Sequence, residues 1–238
     1  MQELYRSQIQ ANLQAVNKKI TNAATRSGRN PEDITLVTVS KTFPSDVTKA
    51  AVDAGAFVLG ESRVQEGCQK IDELGRIAAW HMIGHLQTNK AHKAVEYFDL
   101  IHSIDSEPLS EKISQAALKQ NKTINCLIEV NSSGEDSKFG FSSAEIVISA
   151  GRIAELKGIN LCGLMTIGPW TTNEGCVKKA FELTRGLYEK LQDEIGPGFN
   201  ILSMGMSSDY ELAIACGSTM VRVGTAIFGD RKKLENLK

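Results

Sequence analysis

Short apolar runs rich in β-branched residues alternate along the chain with longer amphipathic stretches. The apolar runs have the length and composition of buried strands. The amphipathic stretches often open with Ser, Thr or Asp, the residues that cap the amino ends of helices. The predicted strands are Ile34–Ser40, Ala56–Gly60, Trp80–Gly84, Leu100–Ile104, Ile124–Val130, Gly158–Met165, Asn200–Met204 and Thr219–Gly224, and the predicted helices include Ser45–Ala54, Ser106–Gln120, Ser142–Glu155 and Thr172–Glu194.

Eight such units in 238 residues, with no linker rich in Pro, Gly or Ser, predict a single domain over residues 1–238. The predicted fold class is α/β, a single (β/α)8 TIM-type barrel. A doubly wound open sheet is the alternative. Ahead of the first strand, the segment from Gln2 to Ser27 predicts an extra N-terminal helix that packs an apolar stripe on the barrel. The stripe consists of Leu4, Ile9, Leu13, Val16 and Ile20.

Charge and composition exclude several classes of protein. The balance of 27 Lys+Arg against 28 Asp+Glu, without a basic block, argues against nucleic acid as a partner. No segment is apolar for long enough to cross a bilayer, and the start of the chain lacks an apolar signal core, so we expect a cytoplasmic protein and no membrane partner. Five scattered cysteines without a C-x-x-C motif predict reduced thiols. No exposed apolar helix stripe demands a partner chain, so we expect a monomer.

Lys41 stands at the end of the first predicted strand, directly before Thr42, Phe43 and Pro44. In a parallel barrel, chemistry is located at the carboxyl ends of the strands. A lysine held against apolar walls has a lowered pKa, and its free amine can attack a carbonyl and form a Schiff base. Taken alone, Lys41 also fits an ordinary strand-end lysine whose stem is packed and whose head lies in water.

The loops after the last two predicted strands have the features of a phosphate site, which such barrels often place there. After the seventh strand, Ser207 precedes a helix start at which Ser208 and Glu211 have capping-box spacing, and free amides there can bind an anion. After the eighth, Gly224 lets the backbone approach an oxyanion and Thr225 offers a hydroxyl. A lysine and a phosphate site in one barrel predict a ligand with both an aldehyde and a phosphate, such as pyridoxal 5′-phosphate.

Several segments resemble the pyridoxal phosphate homeostasis proteins, a family whose barrel is similar to the amino-terminal domain of alanine racemase. The resemblance runs from about the first strand to Gly229, and its last two segments are the most specific. The resembling segments are Thr38 to Lys41, Gly60 to Glu66, His81 to Lys90, Gly163 to Met165, Ser203 to Asp209 and Val221 to Gly229.

The resemblance implies a role for each matched residue. Lys41 corresponds to the family's Schiff-base lysine, and Arg222 corresponds to the arginine that faces the pyridine nitrogen. Ser207, Gly224 and Thr225 correspond to the phosphate contacts. The function implied is binding of pyridoxal phosphate and related vitamers in intracellular vitamin B6 homeostasis, without evident catalytic turnover.

Two positions depart from the family's pattern. Ser62 stands where asparagine is usual, and Met82 stands where phenylalanine is common. Because serine reaches less far than asparagine, we do not carry over a side-chain contact from position 62 to the cofactor. Neither change touches the Schiff-base lysine or the phosphate contacts.

The histidines and acidic residues near the third and second strands have plainer interpretations. His81 and His85 straddle a strand end and lack a nearby set of carboxylates or cysteines, so no metal site is predicted. We expect His85 to be a hydrogen-bonded neighbour of the site rather than part of it. Glu61 and Glu66 are interpreted as carboxylates on a helix face.

Two enzymatic alternatives use the same lysine. A racemase needs a base on each face of the substrate's α-carbon, and Lys41 serves only one face. In alanine racemase the opposing base is a tyrosine of a carboxyl-terminal domain, which we do not expect here because the sequence ends shortly after Gly224. An arginine beside the pyridine nitrogen also weakens the ring as an electron sink. The other alternative, a Schiff-base aldolase on a sugar phosphate, predicts a colourless protein.

Overall fold

Eight parallel strands close into one barrel, in which each strand pairs with the next along the chain and the eighth pairs with the first. This computed structural model describes residues 2–135 and 138–229; the remaining residues of the predicted domain lie outside the described residues. The closed barrel confirms the predicted fold. The strands are β1 (Thr35–Val39), β2 (Val58–Glu61), β3 (Ala79–Met82), β4 (Leu100–Ile104), β5 (Ile124–Val130), β6 (Ile159–Thr166), β7 (Ile201–Ser203) and β8 (Met220–Val223).

Helices cover the outside of the barrel. Their bounds are α1 (Gln2–Arg26), α2 (Ser45–Asp53), α3 (Val64–Leu74), α4 (Ala91–Tyr97), α5 (Glu107–Lys119), α6 (Ile146–Ala154), α7 (Glu174–Ile195), α8 (Tyr210–Ala215) and α9 (Thr225–Phe228). Single 3₁₀ turns lie at Pro31–Asp33 and Thr88–Lys90. Within residues 2–135 and 138–229, none of the helices combines the length and apolar character needed to cross a bilayer.

Side chains alternate between the two faces of each strand, and this alternation separates two apolar regions. The barrel interior contains Val37, Val39, Leu127, Met165 and Met220. The layer between strands and helices is larger and contains, among others, Leu59, Trp80, Ile101, Ile128 and Leu202. Polar residues at inward-facing strand positions therefore lie inside a closed barrel, where they need hydrogen-bond partners from the strands around them.

The N-terminal helix α1 packs against α8 and α9, which confirms that it covers the barrel. Its stripe begins one turn later than predicted, because Leu4 is 79% exposed. Two hydrogen bonds fix the helix to the end of α9: the Tyr5 hydroxyl donates to Phe228 O at 2.9 Å, and Asn12 Nδ2 donates to Ile227 O at 2.8 Å. The buried stripe residues are Ile9, Leu13, Val16 and Ile20.

Two predicted helix starts differ from the structure. Regular helix in α6 begins at Ile146, although Ser142 and Glu145 form a reciprocal capping box in which each backbone N–H donates to the other's side chain at 3.3 Å. The box predicted for Ser208 and Glu211 is wrong, because α8 begins at Tyr210 and the Glu211 carboxylate instead accepts from Arg26 of α1 at 3.1 Å.

Candidate functional site

Lys41 follows β1 at the carboxyl-terminal mouth of the barrel, where the sequence placed it, and it is half-buried. The Phe43 N–H donates to Ser40 O at 3.1 Å and closes a four-residue turn around Lys41. Thr42, the third residue of this turn, has a φ of 69°. A positive φ is uncommon for a β-branched residue and is normally left to glycine. The residue next to Lys41 is therefore held in an unfavourable backbone conformation.

A charged network outside the barrel wall holds this turn. Lys70 Nζ, on α3, donates to Ser40 O at 2.8 Å, to Glu61 Oε1 at 2.7 Å and to Glu66 Oε1 at 2.9 Å. The Ser40 hydroxyl also donates to Glu61 Oε1, at 2.6 Å, and the Thr42 N–H donates to Glu66 Oε1. Glu61 is not the helix-face carboxylate predicted, because it ends β2 and its side chain is fully buried, whereas Glu66 does lie on α3.

Arg222 points from β8 into the barrel, where only 4% of it is exposed. Its Nη1 donates to Ser203 Oγ at 2.6 Å and to Ser203 O at 2.9 Å, and its Nη2 donates to Thr166 O at 2.8 Å. Burial lowers the pKa of Arg222 to about 10, while the carboxylates of Glu129 and Asp209 oppose that shift. The guanidinium thus stays charged at neutral pH and is fixed in one orientation.

A chain of hydrogen bonds continues from Ser203 to two buried histidines that sequence analysis did not bring together. Ser203 Oγ, which accepts from Arg222, is also hydrogen-bonded to His102 Nδ1, at 3.1 Å. The other ring nitrogen of His102, Nε2, lies 3.1 Å from Nδ1 of His81, so one of these two nitrogens donates to the other. Burial lowers the pKa of His81 to about 4 and that of His102 well below its usual value, so both rings are neutral at pH 7.

Ser207 connects the loop after β7 with the loop after β8. Its Oγ accepts from the N–H groups of Gly224 and Ala226, both at 3.3 Å. A Cβ at position 224 would stand 3.1 Å from Val39 O, so glycine there lets the end of β8 approach β1 closely. Thr225 opens α9 and is exposed to solvent. The predicted phosphate contacts therefore lie together, beside the strand that carries Lys41.

Further polar groups lie on other strand ends. His85 Nδ1 is 2.8 Å from Asp105 Oδ2, and its ring stacks on Phe139 with centroids 3.7 Å apart. Glu129 faces the barrel interior from β5 and is 5% exposed. Burial raises the pKa of Glu129 to about 7; Asp105 adds to the shift and Arg222 opposes it. In the described part of the chain, no group of three His, Cys, Asp or Glu side chains is arranged to hold a metal.

The two departures from the family's pattern lie in different places. Met82 is buried in the layer between strands and helices, so the change there does not reach the mouth. Ser62 follows β2 and is half-buried. A Cβ on Gly84 would come within 2.4 Å of Ser62 O, which shows how closely the ends of β2 and β3 approach.

Comparison with known proteins places this arrangement in a family. Residues 7–232 match the family model described as the N-terminal domain of alanine racemase. A pyridoxal phosphate homeostasis protein of Escherichia coli is 44% identical over 227 residues, which cover 92% of this chain and 95% of that relative. The chain belongs to the pyridoxal phosphate homeostasis proteins, within the alanine racemase N-terminal domain family. A relative of the same description from Aquifex aeolicus is 39% identical over 221 residues, covering 92% of this chain and 97% of the relative.

Solved structures of homologues have the same fold. PipY of Synechococcus elongatus, solved with PLP bound, is 34% identical with a TM-score of 0.76, and the match covers 88% of this chain and all of PipY. An unknown protein from Bifidobacterium adolescentis has a TM-score of 0.90 at 38% identity, covering 94% of this chain and 96% of that one. Alanine racemase of Clostridium difficile, at 18% identity and a TM-score of 0.76, shares the fold over 57% of its own length and 94% of this chain.

Proposed function

We propose that this chain binds pyridoxal 5′-phosphate at the carboxyl-terminal mouth of its barrel and holds it, with related vitamers, for intracellular vitamin B6 homeostasis. The observation that carries the proposal is the juxtaposition of Lys41 after β1 with the Ser207 hydroxyl and the amides of the β8 loop, above the buried guanidinium of Arg222. The names of the curated relatives and the PLP bound in PipY support it.

The residue types at the mouth fit the parts of this molecule. Lys41 offers an amine for the aldehyde, and Ser207, Gly224 and Thr225 offer hydroxyl and amide donors for the phosphate. The bonds from Arg222 to Ser203 O, Ser203 Oγ and Thr166 O leave further guanidinium donors for an acceptor such as a pyridine nitrogen. When bound, the cofactor supplies an aldehyde that condenses with amines and a ring that withdraws electrons.

We further propose that the protein holds the cofactor without turning over amino acids. Racemisation requires a base on each face of the α-carbon, and Lys41 provides one. Tyr210 is buried against α1, on the far side of the barrel wall from the mouth's interior. The His85 ring is bonded to Asp105 and covered by Phe139. A charged Arg222 facing the pyridine nitrogen would keep that nitrogen unprotonated, which weakens the ring's ability to stabilise a carbanion.

Borohydride reduction tests the binding site. The holo-protein should be yellow, and peptide mapping after reduction should find one pyridoxyl group on Lys41. Lys41→Ala should remove that label and weaken binding at least about tenfold, or ~1.4 kcal/mol. Lys49→Ala is the matched control, because Lys49 lies on the neighbouring α2 and pairs with Asp53 at 2.7 Å. A colourless protein, or a label on Lys90 or Lys138 in the unsubstituted chain, would contradict the assignment.

Deuterium exchange distinguishes a protein that only binds the cofactor from an enzyme that turns over amino acids. In D₂O with alanine or serine, the holo-protein should exchange α-protons no faster than free pyridoxal phosphate does, while still releasing its cofactor to solution. Sustained exchange that depends on Lys41 would favour the racemase alternative.

A further inference from the structure

The turn that carries Lys41 has a geometry with a specific weak point. Residues 40–43 form a turn closed by the bond from the Phe43 N–H to Ser40 O, and the φ of Thr42 is positive whereas that of Lys41 is not. This is the pattern of a type II turn with threonine at the position that ordinarily requires glycine. A type I turn would suit threonine better, and it differs by a flip of the central peptide. That peptide joins Lys41 to Thr42.

Glu66 holds this same peptide. Its Oε1 accepts from the Thr42 N–H, the group whose direction would reverse in a flip. The carboxylate is itself fixed, because Lys70, one helical turn further along α3, donates to it at 2.9 Å. Lys70 is anchored in turn by Glu61 and by Ser40 O, so the acceptor for Thr42 is attached to the strand end that precedes the turn.

The orientation of this peptide determines the backbone of Lys41. In the flip from type II to type I, the residue at the second position changes ψ by about 150°. Lys41 occupies that position, and its φ is about −60° in both turn types, so its Cα–Cβ direction hardly changes. The bond between Glu66 and Thr42 instead decides which way the carbonyl of Lys41 and the N–H of Thr42 point at the base of the lysine side chain. Backbone strain of this kind persists only where the surroundings enforce it, and it is concentrated at functional sites.

We propose that Glu66 is a positioning residue beside Lys41: it holds the Lys41–Thr42 peptide in its strained orientation and thereby fixes the direction of the peptide dipole at the base of the lysine that would meet the cofactor's aldehyde. The part that concerns the cofactor rests on the proposed function. The part that concerns the turn is independent of any ligand.

The first test uses five variants, counting the Thr42→Gly background alone, and the apparent Kd for pyridoxal phosphate, followed by visible absorbance. Glu66→Ala should weaken binding about tenfold, because the loss of a charge-assisted acceptor lets the peptide flip and reverses its dipole beside Lys41. Glu66→Gln keeps an acceptor oxygen and should stay within about threefold of the parent. In a Thr42→Gly background, Glu66→Ala should also cost less than about threefold, because glycine adopts a positive φ without strain. Glu73→Ala is the control: Glu73 lies on the same helix but accepts from Ser45 and Gln69.

A second measurement needs no cofactor. Amide hydrogen exchange at Thr42 in the ligand-free protein should become about tenfold faster in Glu66→Ala and unchanged in Glu73→Ala. Equal losses of affinity in the threonine and glycine backgrounds, or unchanged exchange at Thr42, would overturn the positioning role. Absence of a label on Lys41 in the unsubstituted protein would instead overturn the proposed function, while faster exchange in Glu66→Ala would still support the hold on the turn.

Discussion

Two adjacent parts of the barrel mouth are held by opposite means. The turn after β1 is held from outside the barrel wall by charges, with Lys70 between two carboxylates at 2.7 and 2.9 Å. Arg222, on the neighbouring β8, is held from inside by backbone carbonyls and by Ser203, behind which stand two neutral histidines. The first part depends on ion pairs, and the second on one buried charge among oriented neutral dipoles.

The strand geometry explains the difference. Glu61 occupies an outward position of β2, so a long side chain from α3 can reach it. Inside the barrel only strand residues are available, and a further buried charge there would have to be paired or neutralised. Glu129 is the exception among the interior groups, since its carboxyl faces the same space as Arg222 yet its pKa is raised to about 7. The interior should therefore respond to pH through this residue.

The largest expected effect comes from Glu129→Gln. The pKa of Glu129 is raised from 4.5 to about 7 on folding, so the folded state favours its protonated form. Below pH 4.5 the residue is protonated in both states and has no cost. As the pH rises toward 7, the unfolded state gains by ionising and the wild-type protein loses stability. Glu129→Gln should escape this loss and be up to about 3 kcal/mol more stable at pH 8.

Denaturant unfolding between pH 4.5 and 8 measures this difference. The gap between Glu129→Gln and the parent protein should open as the pH rises. Glu189→Gln, which removes an exposed carboxylate paired with Arg185 on α7, should change stability by less than about 1 kcal/mol throughout. A variant that is less stable than the parent at pH 8 would mean that Glu129 pairs with Arg222 as a carboxylate.

The two parts of the mouth also differ in how far the sequence predicts them. Lys41 is found by local pattern, because it directly follows an apolar run. The chain from Arg222 through Ser203 and His102 to His81 is formed by barrel closure between positions far apart in sequence, which no local spacing encodes. One signal was present: each of these polar residues lies inside a predicted strand whose residues are mostly apolar.

The predicted ends of single helices and strands were wrong where a residue far away in the sequence binds the side chain concerned. The strand and helix order follows from hydrophobic periodicity, and the closed barrel follows from it. The capping box at Ser208 did not form, because Glu211 is drawn to Arg26 on α1. The burial of Glu61 could not be foreseen, because the strand end beneath α3 was placed one residue too early and its partner Lys70 was not recognised.

Removing the Ser203 hydroxyl, which is hydrogen-bonded to both Arg222 and His102, should have the next largest effect on stability. Ser203→Ala leaves one N–H of the buried Arg222 and Nδ1 of His102 without their present partner. An unsatisfied buried group costs about 1–3 kcal/mol, so we expect a loss near 2 kcal/mol in the free energy of unfolding. Ser110→Ala is the matched control, since Ser110 is equally buried but donates within its own helix to Glu107 O. Equal losses of stability in both variants would mean that the hydrogen bonds of Ser203 to Arg222 and His102 contribute no more than an ordinary buried serine bond.

The smallest effect should come from the exposed loops after β7 and β8, next to Arg222. It should appear only as a difference between the affinities for two ligands. Ser207→Ala combined with Thr225→Val removes hydroxyl groups beside the amides of Gly224 and Ala226. Lost anion donors matter to a phosphate and not to an alcohol, so pyridoxal phosphate should weaken about tenfold more than pyridoxal, or ~1.4 kcal/mol. Ser208→Ala, at an exposed neighbouring position, should leave both affinities unchanged. Titration with the two vitamers decides, and parallel weakening of both would show that the substitutions disturb the loops rather than a phosphate site.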